Sequence, residues 1–474
     1  MVLLKPFKLI SILTLTVSLS ACSSTQQEKP LPQLQPSSFA GVRGMTPKND
    51  YAYGLALSPT GDRLYVGGGS DGLPGSDNLD AFVGSLSSAT GSGLLTVFQK
   101  SGLKPNDDAD IVKDVTVGPQ SGAVFISGST DSKVFFEPNT TYNTGFVARL
   151  NGNGGTTWHH QTDLFYMNKI VTSVESGQEY LYVLLSKTYW DIGDMWKGSY
   201  QRGAFIQKFN ADTGAIVETY TPWLDAARNK SFPNCKVSVP EDMKTCELRV
   251  EDFAVSKAGE LHVLTSIYTP HASLHLYTLG IMSYKTSGLF DTSTVVADDI
   301  LNEISGKMAL FQDPQSETSN IYISYTGDGV DWSVNEIYPV MRLARWQMNG
   351  KSYTRTCEYS KSMEYRQRPE EHHLAVDNAG NAVLSTMKVA FFGTPKEQIA
   401  PFINQYSKMC DWRWLAYPGD TNSRGITDLI TDPATGDVFV SGNTTDSGTV
   451  GGIPKGGMDF WIHRLDNKTG KIIW

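Results

Sequence analysis

Gly145-Phe-Val-Ala-Arg-Leu150 has near copies at Asp80-Ala-Phe-Val-Gly-Ser-Leu86, Ala204-Phe-Ile-Gln-Lys-Phe209 and Asp459-Phe-Trp-Ile-His-Arg-Leu465. Weaker copies stand at Leu279-Gly-Ile-Met-Ser-Tyr284, Val340-Met-Arg-Leu-Ala-Arg-Trp346 and Pro401-Phe-Ile-Asn-Gln-Tyr406. The equivalent positions, Phe82, Phe146, Phe205, Gly280, Met341, Phe402 and Trp461, recur at a spacing of roughly sixty residues, a period that signals a repeat architecture. Around each copy the local pattern is the same. An alternating first strand, such as Ala52–Leu57 or Lys113–Val117, runs into a tight turn such as Pro59-Thr-Gly-Asp62 or Pro433-Ala-Thr-Gly-Asp437. Gly, Asn and Asp sit there because such turns need positive φ. A strongly β-forming second strand follows (Leu64–Val66, Val124–Ile126, Leu181–Val183, Val438–Val440), then a long loop and the quoted strand. A second tight turn leads to a fourth strand that ends in Trp158, Trp414 and Trp474 in three units. Four short strands in each of seven units predict an all-β, seven-bladed β-propeller over residues 38–474. Gly280 and Met341 replace the aromatic, so blade boundaries are least defined in units four to six. Residues 38–44 precede the first unit and read as an outer strand that joins the last blade and latches the ring, which would otherwise expose two sheet edges.

Composition fits this reading and narrows the function. Hydrophobic residues are 40%, charged residues 19%, and the formal net charge is −9. That balance argues against a nucleic-acid partner, which needs a basic surface to displace counterions. At the N-terminus, Lys5 and Lys8 precede an apolar run from Leu9 to Leu19, too short for a comfortable span and followed by polar sequence. The run ends Leu19-Ser20-Ala21-Cys22, a lipobox, and the segment resembles the signal peptides of bacterial lipoproteins. The resemblance implies that residues 1–21 are cleaved and that Cys22 is acylated. Ser23 stands where an inner-membrane retention signal would place Asp, which favours the outer membrane, on either its periplasmic or its surface side. Residues 22–37, rich in Ser, Gln and Pro, read as an extended tether. The remaining cysteines are Cys235, Cys246, Cys357 and Cys410, none in CxxC spacing. In an oxidising compartment Cys235 and Cys246 are expected to close a local loop, leaving Cys357 and Cys410 as the second pair.

Tyr51-Ala-Tyr-Gly-Leu-Ala-Leu57, Arg63-Leu-Tyr-Val-Gly67, Leu73-Pro-Gly75 and Asp80-Ala-Phe-Val83, with Gly442 and Gly456-Gly-Met-Asp459 in the last unit, resemble the SBBP-type bacterial β-propeller repeat. The likeness implies the propeller and often export, and no single activity. Leu465-Asp-Asn-Lys-Thr-Gly-Lys-Ile-Ile-Trp474 resembles the tryptophan-docking motif of quinoprotein-like propellers, with a partial echo at Asn210-Ala-Asp-Thr-Gly214. The adjacent Cys-Cys of the pyrroloquinoline-quinone dehydrogenases is absent, so the motif reads structurally: Asp caps the turn and Trp packs between blades. The same motif occurs in the lipoprotein propeller of the outer-membrane β-barrel assembly machinery, which implies a scaffold role.

Turns after first and third strands share one face and are all tight. The other face takes the long connections Gly67–Leu79, Ser127–Thr144, Leu185–Arg202, Thr265–Leu276, Thr326–Pro339, Lys388–Ala400 and Gly442–Met458, with the inter-blade segments Lys100–Asp110 and Pro222–Glu247. Function on scaffolded folds sits on elaborated loops. These carry Phe135, Phe136, Tyr142, Tyr189, Trp190, Trp196, Trp332, Phe391 and Phe392, the rigid aromatic area that binding hot spots use.

Other motifs carry less. Gly68-Gly-Ser-Asp-Gly72 matches GxSxG but lies between β-strands, not on a strand-to-helix elbow, so Ser70 is not expected to be a nucleophile. Asp328, Asp331 and Glu336, and Asp71, Asp77 and Asp80, could offer oxygen ligands to Ca²⁺ but lack EF-hand spacing, so solvated acidic loops are the expectation. The His159-His160 and His372-His373 doublets point to opposite strand faces and cannot simply chelate one metal; His271 and His275 share a loop. No cofactor, metal site or catalytic residue is therefore expected. The sequence reads as an outer-membrane-anchored lipoprotein acting as a binding or assembly module for an envelope protein or glycan. The rival is a propeller-fold polysaccharide hydrolase or lyase with its site in the central funnel, which would gather carboxylates, or a His with a carboxylate, at the funnel mouth.

Overall fold

Alternating small and β-branched residues give the chain strands that are apolar on both faces, and such strands must be covered from both sides. The computed structural model describes residues 42–43, 48–71, 79–100, 110–130, 144–187 except 153 and 164, 204–229, 232, 247–271, 274–312, 319–331, 336–349, 352–362, 372–390, 398–418, 423–444 and 457–474. After a short β1 (Val42–Arg43), blade one is β2 (Asp50–Leu57), β3 (Arg63–Ser70), β4 (Asp80–Ser87) and β5 (Leu95–Lys100). Blade two is β6 (Ile111–Val117), β7 (Val124–Thr130), β8 (Thr144–Leu150) and β9 (Thr156–Asp163). Blade three is β10 (Phe165–Glu175), β11 (Gln178–Lys187), β12 (Phe205–Asn210) and β13 (Ile216–Tyr220). A helix, α1 (Pro222–Asn229), leads towards blade four, with Pro222 in its first turn, where the missing N–H costs nothing.

Blades four and five are joined. Blade four has β14 (Glu247–Val255), β15 (Leu261–His271) and β16 (Leu274–Tyr284); blade five has β18 (Ser319–Asp331), β19 (Glu336–Asn349) and β20 (Ser352–Ser362). One long strand, β17 (Phe290–Gln312), is the outer strand of the first and the inner strand of the second, pairing β16 up to Leu301 and β18 from Leu301 onward. This is the boundary the repeat pattern left undefined. It also corrects two expected loops. Thr265–Leu276 and Thr326–Pro339 are mostly strand: β15 and β16 pair out to His271 opposite Leu274, and β18 and β19 out to Asp331 opposite Glu336. Blade six is β21 (His373–Val376), β22 (Ala382–Ala390), β23 (Gln398–Tyr406) and β24 (Trp412–Ala416). Blade seven is β25 (Ser423–Thr431), β26 (Val438–Thr444) and β27 (Asp459–Leu465), and its fourth strand is β1. Val42 pairs Ile462 and Arg43 pairs Trp461, so the N-terminal strand closes the ring as expected. All pairings are antiparallel and every blade has four strands.

Seven clusters of buried apolar side chains, among the described residues, fall one at each junction between neighbouring blades. Ala56, Ala81 and Val83 of blade one meet Val112, Ile126 and Phe146 of blade two, and Leu55, Leu64 and Phe82 meet Phe439, Phe460 and Ile462 of blade seven. Each blade thus supplies half of two cores, at about 1.5–3 kcal/mol per large side chain buried. The seven recurring positions all lie on third strands and face the second strand opposite Gly68, Gly128, Leu185, Thr265, Thr326, Thr386 and Gly442. Where the repeat has lost its aromatic, at Gly280, the space is filled from outside the blade: Phe232, 2% exposed, lays its ring where a Cβ of Gly280 would be.

The docking motif also has the expected meaning and recurs more often than the sequence suggested. The indole N–H of Trp158 donates to the Ala211 carbonyl (2.9 Å), that of Trp414 to Asn467 (2.8 Å) and that of Trp474 to Ser88 (3.0 Å), each in the following blade. Each ring covers the glycine of that turn, Gly214, Gly470 and Gly91, all at positive φ. Asp466 caps its turn by accepting from the N–H groups of Lys468 and Thr469. Cys357 of β20 and Cys410 of the β23–β24 turn form a disulfide that fastens blade five to blade six. Cys22, Cys235 and Cys246 lie outside the described residues.

Candidate functional site

The seven inner strands surround a channel with a cavity of about 580 Å³. In five of them the pairing register slips at one level, leaving Tyr53, Lys113, Asn168, Glu251 and Thr427 as the extra residue of a β-bulge. A bulge twists the strand and re-aims side chains, and all five residues line the cavity. The residues that follow are Gly54, Asp114, Lys169, Asp252 and Asp428, of which all but Gly54 line the cavity; Arg249 of blade four, Lys307 of blade five and His373 of blade six line it too.

Three of these carboxylates do the same thing. Asp114 accepts from the N–H of its neighbour Val115 and of Ile170 in blade three, both at 2.8 Å. Asp252 accepts from Phe253 (2.9 Å) and from Met308 in blade five (2.7 Å). Asp428 accepts from Leu429 (2.8 Å) and from Leu55 in blade one (2.6 Å). Each carboxylate therefore ties the inner strand of one blade to that of the next. The sequence reading missed this set, although Lys113-Asp-Val, Glu251-Asp-Phe and Thr427-Asp-Leu share the signal: an Asp just before an apolar residue of the first strand.

Charge alternates around the lining from Asp114 through Lys169 and Asp252 to Lys307, and the Lys169 ammonium makes an ion pair with Asp252. Blade one interrupts the alternation with Gly54, whose Cβ would lie 2.8 Å from the Asp114 backbone. The Asp428 charge consequently bears on Asp114 across blade one, against the pull of Lys169. Burial, then the Asp428 charge, pushes the Asp114 carboxyl up to about 8. Burial pushes Asp428 up to about 6 against the pull of its two backbone donors, although 22% of its side chain still meets the channel. The His373 Nε2–H donates to the Ile426 carbonyl (3.0 Å), so in the neutral ring Nδ1 is bare. It stands 4.0 Å from Asp428, and burial plus the Lys307 charge holds the imidazole down to about 3, so this contact is not an ion pair near neutral pH.

The nine loop aromatics, Phe135, Phe136, Tyr142, Tyr189, Trp190, Trp196, Trp332, Phe391 and Phe392, all lie outside the described residues. Ser70 is not in a loop but at the end of β3, buried, with its hydroxyl donating to Asp50. Thr130 and Asp110 repeat that pair in blade two, so it belongs to the blade design and not to a nucleophile. The His372-His373 doublet does diverge: His372 faces Ser324 of blade five while His373 faces the channel. Among the described residues no group of three or more His, Cys, Asp or Glu side chains could hold a metal ion.

No protein-family model matches the chain, and no curated protein matches it. Several solved structures are distantly similar. An α-L-arabinofuranosidase of Fusarium graminearum is 8% identical, with 90% of this chain and 98% of that one covered and a TM-score of 0.42. An endo-arabinase of Bacteroides thetaiotaomicron is 12% identical over 64% of this chain and 96% of that one, with a TM-score of 0.32. A polysaccharide lyase, Uly1, is 10% identical over 75% and 77%, with a TM-score of 0.39. At these values the likeness carries no statement about activity.

Proposed function

We propose that the chain is a propeller module for binding or assembly, held at the outer membrane by acyl chains on Cys22, with its long-connection face turned to an envelope protein or a glycan. The observation that carries this is the engagement of the channel carboxylates. Asp114, Asp252 and Asp428 each hold two backbone N–H groups across a blade junction, which is scaffold work. The same asymmetry that the sequence carries supports the choice of face: first-to-second-strand connections such as 58–62, 118–123 and 432–437 are short, while 131–143, 188–204 and 445–458 on the other side are long. The test is affinity purification of the acylated chain from native membranes in mild detergent, with mass spectrometry of what accompanies it. A stoichiometric envelope protein or glycan, lost when Leu185–Arg202 is trimmed, is the expected result. A clean monomer that retains every activity after trimming overturns it. The anchor is tested separately: Cys22→Ser should abolish palmitate labelling and release the chain from the membrane fraction.

A polysaccharide hydrolase or lyase working in the channel is the second reading, and Asp114 favours it. A carboxyl protonated near neutrality beside an ionised one is how acid–base pairs are set up. Asp114→Ala separates the two readings. A scaffold tie weakens the fold, whereas a general acid leaves the fold and removes turnover on the polysaccharides that accompany the native protein.

A further inference from the structure

The channel holds two ammonium groups, Lys113 and Lys307, that no described carboxylate contacts directly. Lys169 is paired with Asp252, but among the described residues neither Lys113 nor Lys307 makes an ion pair. The Lys113 ammonium lies 4.2 Å over the ring of Tyr53 instead, and burial alone lowers its pKa. The Lys307 charge acts on Glu251 and Asp428 across a gap, whereas nothing offsets the burial of Lys113, and a half-buried ammonium without a counter-ion is costly. The acidic side of the lining is further weakened near neutral pH, because Asp114 titrates at about 8 and burial raises Glu251. Between the charges lie neutral hydrogen-bonding groups, the Asn168 amide and the Thr427 and Ser186 hydroxyls. Lys113 and Asn168 precede the carboxylate level along inner strands that start at the long-connection face. A cavity of about 580 Å³ lies within the range of small-molecule sites.

We propose that the channel binds a short acidic saccharide, a uronate disaccharide in size and charge, whose carboxylates are taken by Lys113 and Lys307 and whose hydroxyls meet Asn168 and Thr427. The site is separate from the loop face, and its occupancy does not depend on which partner that face takes. A chain that loses its envelope partner on loop trimming should still bind the saccharide. Calorimetry of the full chain with digalacturonate, and with neutral cellobiose as control, tests it. Digalacturonate should bind saturably and weaken with added salt, and cellobiose should not bind. Lys113→Gln and Lys307→Gln should each weaken binding at least tenfold, while Lys113→Arg keeps most of it. Equal affinity for the neutral sugar, no binding at millimolar digalacturonate, or unchanged affinity in both Gln variants overturns the proposal. A second measurement is independent of variant folding: carbodiimide coupling of digalacturonate to the wild-type chain joins a uronate carboxyl to a nearby amine as an amide, with loss of water to the reagent. Peptide mapping should find the adduct at Lys113 or Lys307; adducts only on surface lysines overturn the site.

Discussion

Asp114, Asp252 and Asp428 fix the distance between neighbouring inner strands with a single side chain each, at a place where backbone ladders do not reach from blade to blade. Hydrogen bonds to a charged group are worth about 1.5–3 kcal/mol each. Asp252→Ala, which also strands Lys169, should therefore cost about 3 kcal/mol or more in chemical denaturation, and Asp252→Asn, which keeps one acceptor, clearly less. Equal losses would show that the carboxylate is not the tie. Asp114 and Asp428 add a pH dependence. Their folded-state values of about 8 and about 6 lie above the ordinary carboxyl value of about 3.9. Between those limits the folded chain binds more protons than the unfolded one. Stability is therefore fullest below about pH 4 for these groups and falls as the pH rises towards 8. Melting temperatures of wild type and Asp114→Asn from pH 5 to 8.5 should converge and then favour the variant as pH rises; parallel curves would contradict this. The residue type was readable in the sequence at all three positions. Its direction was not, because only the bulge before it aims the carboxylate at the axis and only ring closure brings Leu55 against Asp428.

At the scale of the element, the repeat was legible because a cross-strand pair enforces it. A ring on the third strand needs a small partner on the second, and Phe82 over Gly68 and Trp461 over Gly442 record that need in the residues themselves. Blade four escaped the pattern because its ring comes from Phe232, outside the period and reached through α1. Phe232→Ala should cost about 3–5 kcal/mol, as large-to-small core changes do, and an added Gly280→Ala should recover part of the loss by refilling the space. Second strands were under-read: β3 runs to Ser70 and β7 to Thr130, since buried small polar residues near the strand ends look like loop. The docking turns carry their own prediction. Ala at Gly91 must adopt a φ of 66° and displace the Trp474 ring. Gly91→Ala should thus destabilise more than Gly93→Ala, whose φ of 75° is similar but whose Cβ meets open space. Melting of the two variants side by side isolates the ring contact from the backbone strain.

For the whole molecule, the disulfide and the latch share one task, since a closed ring leaves no blade with a bare face. Cys357 and Cys410 are 53 residues apart, and closing a loop of that length in the unfolded chain corresponds to about 4 kcal/mol in the chain-entropy treatment. Reduction, or Cys357→Ser with Cys410→Ser, should lower the melting temperature without changing the blade count seen by small-angle scattering. The charge, the period and the Cys357–Cys410 pair were all visible at this scale in the linear sequence. The partner was not, because the connections that would choose it follow no strand periodicity and obey no pairing rule. The latch has a consequence in time. Val42 and Arg43 are made roughly 420 residues before their partners Ile462 and Trp461. At ribosomal rates the first strand waits on the order of half a minute for its neighbour. Until β27 is made the propeller is an open arc with a bare blade at each end, so closure is a single late event, and a nascent chain depends on being shielded until that strand arrives.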